Sequence, residues 1–193
     1  MKKIMVDLDD TIVAFSEMFV NKCNSLVSKY YDTHKRLKIE DITDYSFMNG
    51  FLEVFDELSQ VEYSRILQEI FSDVTLYQNS IYTRESHTIF NMLERCKRQG
   101  YKLILNTKVS TYTMIESKTS LFRADKRFEM FDEIILDMER GEHSPKSFEY
   151  DYMVDDAPHN IEYYLNNNPQ GIVYMPLRPW NEKFKDNERV IIL

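Results

Sequence analysis

A short apolar run, Ile4, Met5 and Val6, opens the chain and leads directly into Asp7, Leu8, Asp9, Asp10 and Thr11. An unbroken apolar stretch of this length fits a strand covered on both faces of a parallel sheet. Phe15, Phe19, Cys23, Leu26 and Tyr30 then recur at helical intervals and predict an amphipathic helix over 12–31. Residues 32–44 are polar and read as a loop. Phe51, Val54, Phe55 and Leu58 fit one helix face, and Tyr63, Ile66, Leu67, Ile70 and Phe71 fit another. Between about 16 and 80 no strand pattern pairs with the opening one, so this block reads as a helical insertion.

From residue 82 the pattern changes. Ile89, Phe90, Leu93 and Cys96 give a helix that should stop at Gly100, and Tyr101–Leu105 is a second buried-strand run that delivers Asn106, Thr107 and Lys108. A helix through Met114, Ile115, Lys118 and Leu121 precedes a strand at Glu133–Leu136. Lys146 falls in a loop, HSPKSF, and a strand at Tyr152–Val154 leads into Asp155 and Asp156. A helix over 160–166, a strand at Gly171–Met175 and a short one at Val190–Leu193 complete the chain. Alternating strands and helices predict an α/β fold with a doubly wound, mostly parallel sheet. The expected division is a core domain from 1–15 and 81–193, with a small helical cap, 16–80, inserted after the first strand. Ligands of such sheets bind beyond the carboxyl ends of the strands, at the switch point, which is where the polar clusters fall.

Composition narrows the classes. At 193 residues with 43% hydrophobic content, the chain can hold one α/β domain with a modest insertion. A net charge of −8 with both signs mixed along the chain does not attract a polyanion, so long nucleic acid is not an expected partner. No run reaches membrane-spanning length and no secretory h-region is present, so the expectation is a cytoplasmic protein with no membrane partner. Cys23 and Cys96 are too few for a disulfide framework and read as free thiols. His34, His87, His143 and His159 form no metal-ligand spacing.

The acidic residues carry the chemistry. Strand alternation sends Asp7 and Asp9 to the same side, with Leu8 turned away. Two carboxylates held close keep their charge cheaply when a cation lies between them, and an all-oxygen set of this kind suits Mg²⁺. The plainer reading of Asp9-Asp10-Thr11 is a polar turn that caps the following helix. Thr107 is equally an ordinary strand-end residue, and a loop lysine is usually solvated.

Taken together, Asp7-Leu8-Asp9-Asp10-Thr11, Thr107, Lys146 and Asp155-Asp156 resemble the four motifs of the haloacid dehalogenase (HAD) superfamily of phosphotransferases. The resemblance implies that Asp7 is the nucleophile and Asp9 the proton donor and base. It also implies Mg²⁺ held by Asp7, the Asp9 backbone carbonyl and Asp155. Thr107 and Lys146 would bind the phosphoryl oxygens, with Lys108 as a further contact and Asp10 and Asp156 in support. Lys118, Lys126 and Lys108 compete with Lys146, which is preferred because it precedes Asp155 in a loop leading to the adjacent strand. Length, the helical insertion and the ending VYMPLRPWNE are similar to the 5′(3′)-deoxyribonucleotidases. That likeness implies hydrolysis of nucleoside monophosphates, with Phe15, Phe19, Tyr45 and Phe47 as candidates to line the base pocket, although a Phe stripe at helical spacing is more often core. Thr83-Arg84-Glu85 stands where relatives tend to have Pro-Gly, and Arg178–Asn181 looks like a tail signature without a catalytic role. The alternative within the fold is a phosphatase for sugar phosphates or other small metabolites. Outside it are a receiver-like signalling module, against which the DLDDT on the first strand argues, and a non-catalytic binding protein. Homodimerisation is left open.

Overall fold

The computed structural model describes residues 1–138 and 150–193. Strands β1 (Lys3–Val6), β2 (Lys102–Lys108), β3 (Glu133–Asp137), β4 (Tyr152–Val154), β5 (Ile172–Met175) and β6 (Val190–Ile192) form one sheet. Its order is β3-β2-β1-β4-β5-β6 and every pairing is parallel. The expected α/β doubly wound sheet is thus present, and within the described residues it is fully rather than mostly parallel. From β1 the chain steps outward to β2 and β3, then returns to lay β4 on the opposite side of β1. β1 and β4 therefore flank the switch point, where a crevice opens at the strand ends.

Register decides what meets there. Val6 pairs with Leu105 on one side and Val154 on the other. One step further along each strand, Asn106, Asp7 and Asp155 fall into one row across β2, β1 and β4.

Both sheet faces are covered, which explains the continuous apolar runs. Ile4, Val6, Leu103, Leu105 and Val154 share a core with Ile89, Phe90 and Leu93 of α4 (Ser86–Arg98) and Leu121 of α5 (Tyr112–Ala124). Met5, Met153, Val173 and Met175 pack with Ile161, Tyr164 and Leu165 of α6 (Pro158–Asn167). Helix α4 ends where Gly100 takes a φ of +83°, with the Tyr101 N–H donating to Cys96 O at 3.1 Å and the Gly100 N–H to Lys97 O at 3.0 Å. This closure satisfies two carbonyls of the last turn, and a side chain at that φ would be strained.

The intervening block has its own core. Helices α1 (Phe15–Tyr30), α2 (Met48–Val54) and α3 (Gln60–Phe71) bury Phe19, Cys23, Val27, Phe51, Phe55, Ile66 and Ile70 against one another. Ser59 and Glu62 form a reciprocal cap at the start of α3. Helix α1 begins at Phe15, three residues later than the spacing of apolar residues suggests. Asp10 adopts a left-handed φ of 53° and donates its N–H to Val13 O at 2.6 Å, so residues 10–13 make a turn instead of helix. Val13 then bridges antiparallel to Tyr82, and the Ala14 N–H donates to Ile81 O at 2.8 Å. The chain leaves the sheet region and returns to it side by side. Among the described residues, no helix is long and apolar enough to cross a membrane.

Candidate active site

Two polar groups with different electrostatics flank the end of β1. The first joins Asp7 to the end of β4. Asp7, Asp155 and Asp156 are all buried, and one carboxylate oxygen from each lies within 4.8 Å of the others. The start of α6 orients Asp155, whose Oδ1 accepts the Ala157 N–H at 2.8 Å and whose Oδ2 accepts the Asn160 amide at 3.1 Å. Asp156 accepts the Thr11 hydroxyl at 3.0 Å and the Trp180 indole N–H at 2.9 Å. Burial, then the charges of Asp10, Asp155 and Asp7, push the Asp156 carboxyl well above the usual carboxylate range. In the same row across the strands as Asp7 and Asp155, both amide atoms of the wholly buried Asn106 lack a hydrogen-bond partner among the described residues. Three buried carboxylates make an oxygen donor set that fits a hard divalent cation.

The second group lies on the β2 side. Lys118, on α5, is fully buried and donates to Asp9 Oδ2 at 2.6 Å, to Thr107 Oγ1 at 2.7 Å and to the Lys108 carbonyl at 2.8 Å. These contacts engage all three donors of its ammonium group. Thr107 Oγ1 accepts from Lys118, so the hydroxyl hydrogen of Thr107 is directed elsewhere. Asp9 Oδ1 accepts the Tyr77 hydroxyl at 2.6 Å. Burial, then the negative charge of Asp9, push the Tyr77 phenol well above its ordinary range, so this hydroxyl stays protonated and donates.

The loop between the two groups is braced from several elements. Asp10 Oδ1 accepts the Ser16 N–H at 2.9 Å and its hydroxyl at 2.7 Å, tying the loop to the first turn of α1. Burial raises the Asp10 carboxyl to about 6 despite the two bonds from Ser16. Arg178 donates through Nε and Nη2 to the Asp10 carbonyl at 3.1 and 2.8 Å, and through Nη2 to Glu85 at 3.0 Å. Thr83 Oγ1 donates to the Thr11 carbonyl at 2.8 Å. Asn181 donates to the carbonyls of Asp156 and Pro176 at 2.9 and 3.0 Å. Arg178–Asn181, unassigned from sequence, therefore fastens the β1 loop and Asp156, and Glu85 of the unexpected Thr83-Arg84-Glu85 is part of the same brace. A cavity of about 350 Å³ beside Asp10 and Arg178 lies behind this loop, and Asp7, Asp9 and Asp155 do not line it.

No protein-family model and no curated protein sequence matches the chain. Solved structures do match over nearly its whole length. A protein assigned as a haloacid dehalogenase-like hydrolase from Bacteroides fragilis has a TM-score of 0.64 at 14% identity, covering 98% of this chain and 96% of its own. One assigned as a phosphoglycolate phosphatase from Haemophilus somnus has a TM-score of 0.62 at 15% identity, covering 99% and 93%. CbbY from Rhodobacter sphaeroides, solved with phosphate, has a TM-score of 0.59 at 16% identity, covering 98% and 93%. The chain adopts the haloacid dehalogenase-like fold.

Within that fold, the sequence-derived candidates fall into distinct places. Asp7, Asp9, Asp10, Thr107, Asp155 and Asp156 converge at the ends of β1, β2 and β4. The Asp9 carboxylate is turned to Lys118 and Tyr77, and the carboxylates that lie together are Asp7, Asp155 and Asp156, so Asp156 joins the two carboxylates expected from sequence. Lys146 lies outside the described residues. Lys108 is exposed, and its carbonyl is what the site uses. Phe19 is corrected from pocket to core: it has no exposure, because it lies inside the core of the helical block with its ring 6.4 Å from that of Phe15. Phe47 is likewise buried, packed at 5.1 Å from the Phe19 ring and 5.8 Å from that of Trp180. Phe15 is half-buried between Phe47 and Tyr77. Tyr45 is the open member, 47% exposed, edge-on to His159 and Trp180. Although part of its surface is open, burial of its hydroxyl end, then the charges of Asp156, Asp7, Asp155 and Asp9, push its phenol well above the ordinary range, as fits a ring reaching from the surface toward the acidic group.

Tyr77 went unnoticed in the sequence, and Lys118 stood only as a competitor to Lys146. A signal for Lys118 was available. It sits in phase with Met114 and Leu121 on the buried stripe of α5, where a lysine is tolerated only with a dedicated partner. Nothing local marks Tyr77, one of thirteen tyrosines, since its importance comes from a contact with a residue 68 positions away.

Proposed function

We propose that this chain is a Mg²⁺-dependent phosphomonoesterase for small phosphorylated metabolites, with Asp7 as nucleophile and Asp9 as proton donor and base. The observation that carries this reading is the division of carboxylates around β1: Asp7 belongs to the buried acidic group with Asp155 and Asp156, while Asp9, two residues on, is held beside Thr107 by a lysine. An Asp7 carboxylate oxygen attacks phosphorus as the ester P–O bond breaks, and the leaving alkoxide takes a proton from Asp9. Asp9 then removes a proton from the water that attacks the aspartyl phosphate, which frees inorganic phosphate and restores Asp7. Thr107, its hydroxyl hydrogen turned away from Lys118, donates to a phosphoryl oxygen as charge builds on it. Asp7, Asp155, Asp156 and the Asp9 backbone carbonyl would hold Mg²⁺, which would supply positive charge where carboxylate meets phosphate. Structures of similar fold named as phosphoglycolate phosphatase and β-phosphoglucomutase, and CbbY bound to xylulose-1,5-bisphosphate, support small acid and sugar phosphates as the substrate class.

The aromatic mouth supports a second substrate class on the same chemistry. Tyr45 is exposed beside Trp180, whose indole bonds Asp156, and such rings could stack on a nucleobase, as expected of a nucleoside monophosphatase. A phosphate-release assay with and without Mg²⁺ over phosphoglycolate, pentose and hexose phosphates, and nucleoside and deoxynucleoside monophosphates separates the two. Release from the first two groups with indifference to a base supports the leading reading. A tenfold or greater preference for nucleotides, on the order of one well-made stacking contact, supports the second. No release from any ester in Mg²⁺ rejects both.

A further inference from the structure

Asp9 is gripped at both oxygens, and one grip comes from the segment by which the chain returns from the helical block. Tyr77 lies between α3 and α4, and its ring is wholly buried in the core shared with β1, α4 and α5. Its backbone N–H donates to Ser117 Oγ on α5 at 3.0 Å, its ring lies 5.2 Å from Lys118 Nζ, and Phe15 stacks on it at 6.4 Å. Ring and backbone are thus fixed independently of the hydroxyl, and among the described residues the hydroxyl donates to Asp9 alone.

We propose that Tyr77 is a positioning residue for Asp9: its hydroxyl, acting with Lys118, fixes the Asp9 carboxyl group in the rotamer from which, when protonated, it passes its proton to the leaving group. This assignment rests on the phosphomonoesterase reading above. A carboxylate two bonds from the backbone has a broad terminal torsion, and donors on both of its oxygens restrict it. The spare lone pairs then face a defined direction, toward the open side of the site, where 25% of the Asp9 side chain remains exposed. Lys118 uses all of its donors inside the protein, so it holds Asp9 and Thr107 rather than reaching for the substrate. Tyr77 contributes direction to Asp9 and acts on the substrate only through it.

Tyr77→Phe removes one oxygen and keeps the ring, its stacking and its backbone anchor, so the fold persists. Only substrates that need a proton on the leaving group should feel the change. For an alkyl phosphate, kcat/KM should fall by about tenfold, a fraction of the 10²–10⁴ attributable to general acid–base catalysis. For p-nitrophenyl phosphate, whose phenolate departs unprotonated, kcat/KM should stay within about twofold, because that ratio stops at the first irreversible transfer. In an Asp9→Asn background, Tyr77→Phe should cost nothing further on the alkyl ester. An equal loss on both esters, no loss on either, or a full additional loss in the Asp9→Asn background overturns the assignment. Wild-type protein inactive on both esters overturns the phosphatase reading, and this assignment with it.

Discussion

The two sides of β1 solve the problem of buried charge in opposite ways. On the β2 side, Asp9 is matched inside the protein by Lys118, which also holds Thr107 and a backbone carbonyl. On the β4 side, the hydrogen bonds that Asp155 and Asp156 receive from an N–H, from Asn160 and Thr11, and from an indole among the described residues come from neutral donors, while burial and then its acidic neighbours push Asp156 toward its protonated form. A balanced pair is stable by itself and holds a fixed geometry. A crowded acidic group is a site prepared to attract a cation. The contrast separates the group that must be positioned, Asp9, from the group that must attract charge, Asp7 with Asp155 and Asp156.

Chemistry should break first on the acidic side. Asp7→Asn should lower Mg²⁺-dependent phosphate release by about 10³-fold or more, as loss of a nucleophile does, with the circular-dichroism spectrum unchanged. Substantial activity in that variant would remove Asp7 from the mechanism. Stability should break first on the other side. Lys118→Met deletes a fully buried cation and leaves Asp9 without its charge partner, so unfolding in urea should show a loss of about 3 kcal/mol. Lys118→Arg should recover part of it, and a loss no larger than that of an exposed lysine would show the pairing to be incidental.

A pH series on the metal-free protein sharpens the same contrast. A solvated carboxylate ionises near 3.9, whereas Asp10, buried between the two groups, is raised to about 6. Between these values the folded protein holds the proton that the unfolded chain has lost, so the Asp10 contribution makes stability fall as pH rises from about 4 to about 6. Urea midpoints for wild type and Asp10→Asn across that window should differ in slope, with the variant flatter; parallel slopes would refute the shift. The smallest effect is expected at the mouth. Tyr45→Ala should raise KM by about threefold at unchanged kcat, within the range of one aromatic contact, and an unaltered KM would place substrate away from this ring.

Much of the scaffold was legible because its strands are buried on both faces. Continuous apolar runs at β1, β2 and β4 locate the strands, and the polar residues that follow them necessarily fall at the carboxyl ends of a parallel sheet. Gly100 marks the end of α4 for an equally local reason, its left-handed φ. Ambiguity entered where a pattern served two purposes. The aromatic stripe of α1 reads more often as core than as pocket, and packing inside the helical block makes Phe19 core. The start of α1 was set by the left-handed turn at Asp10, which no periodicity reports.

The sequence by itself determined the alternation of strands and helices, the acidic strand ends and the phase relation of Asp7 to Asp9, because these follow from period and from contacts within a few residues. Only the tertiary structure decided which strand lies beside β1, that Asp156 joins Asp7 and Asp155, and that Lys118 and Tyr77 take hold of Asp9. Those contacts join residues 68 to 149 positions apart. They depend on sheet order and on the path by which the chain returns from its helical block, and neither leaves a local trace for periodicity to report.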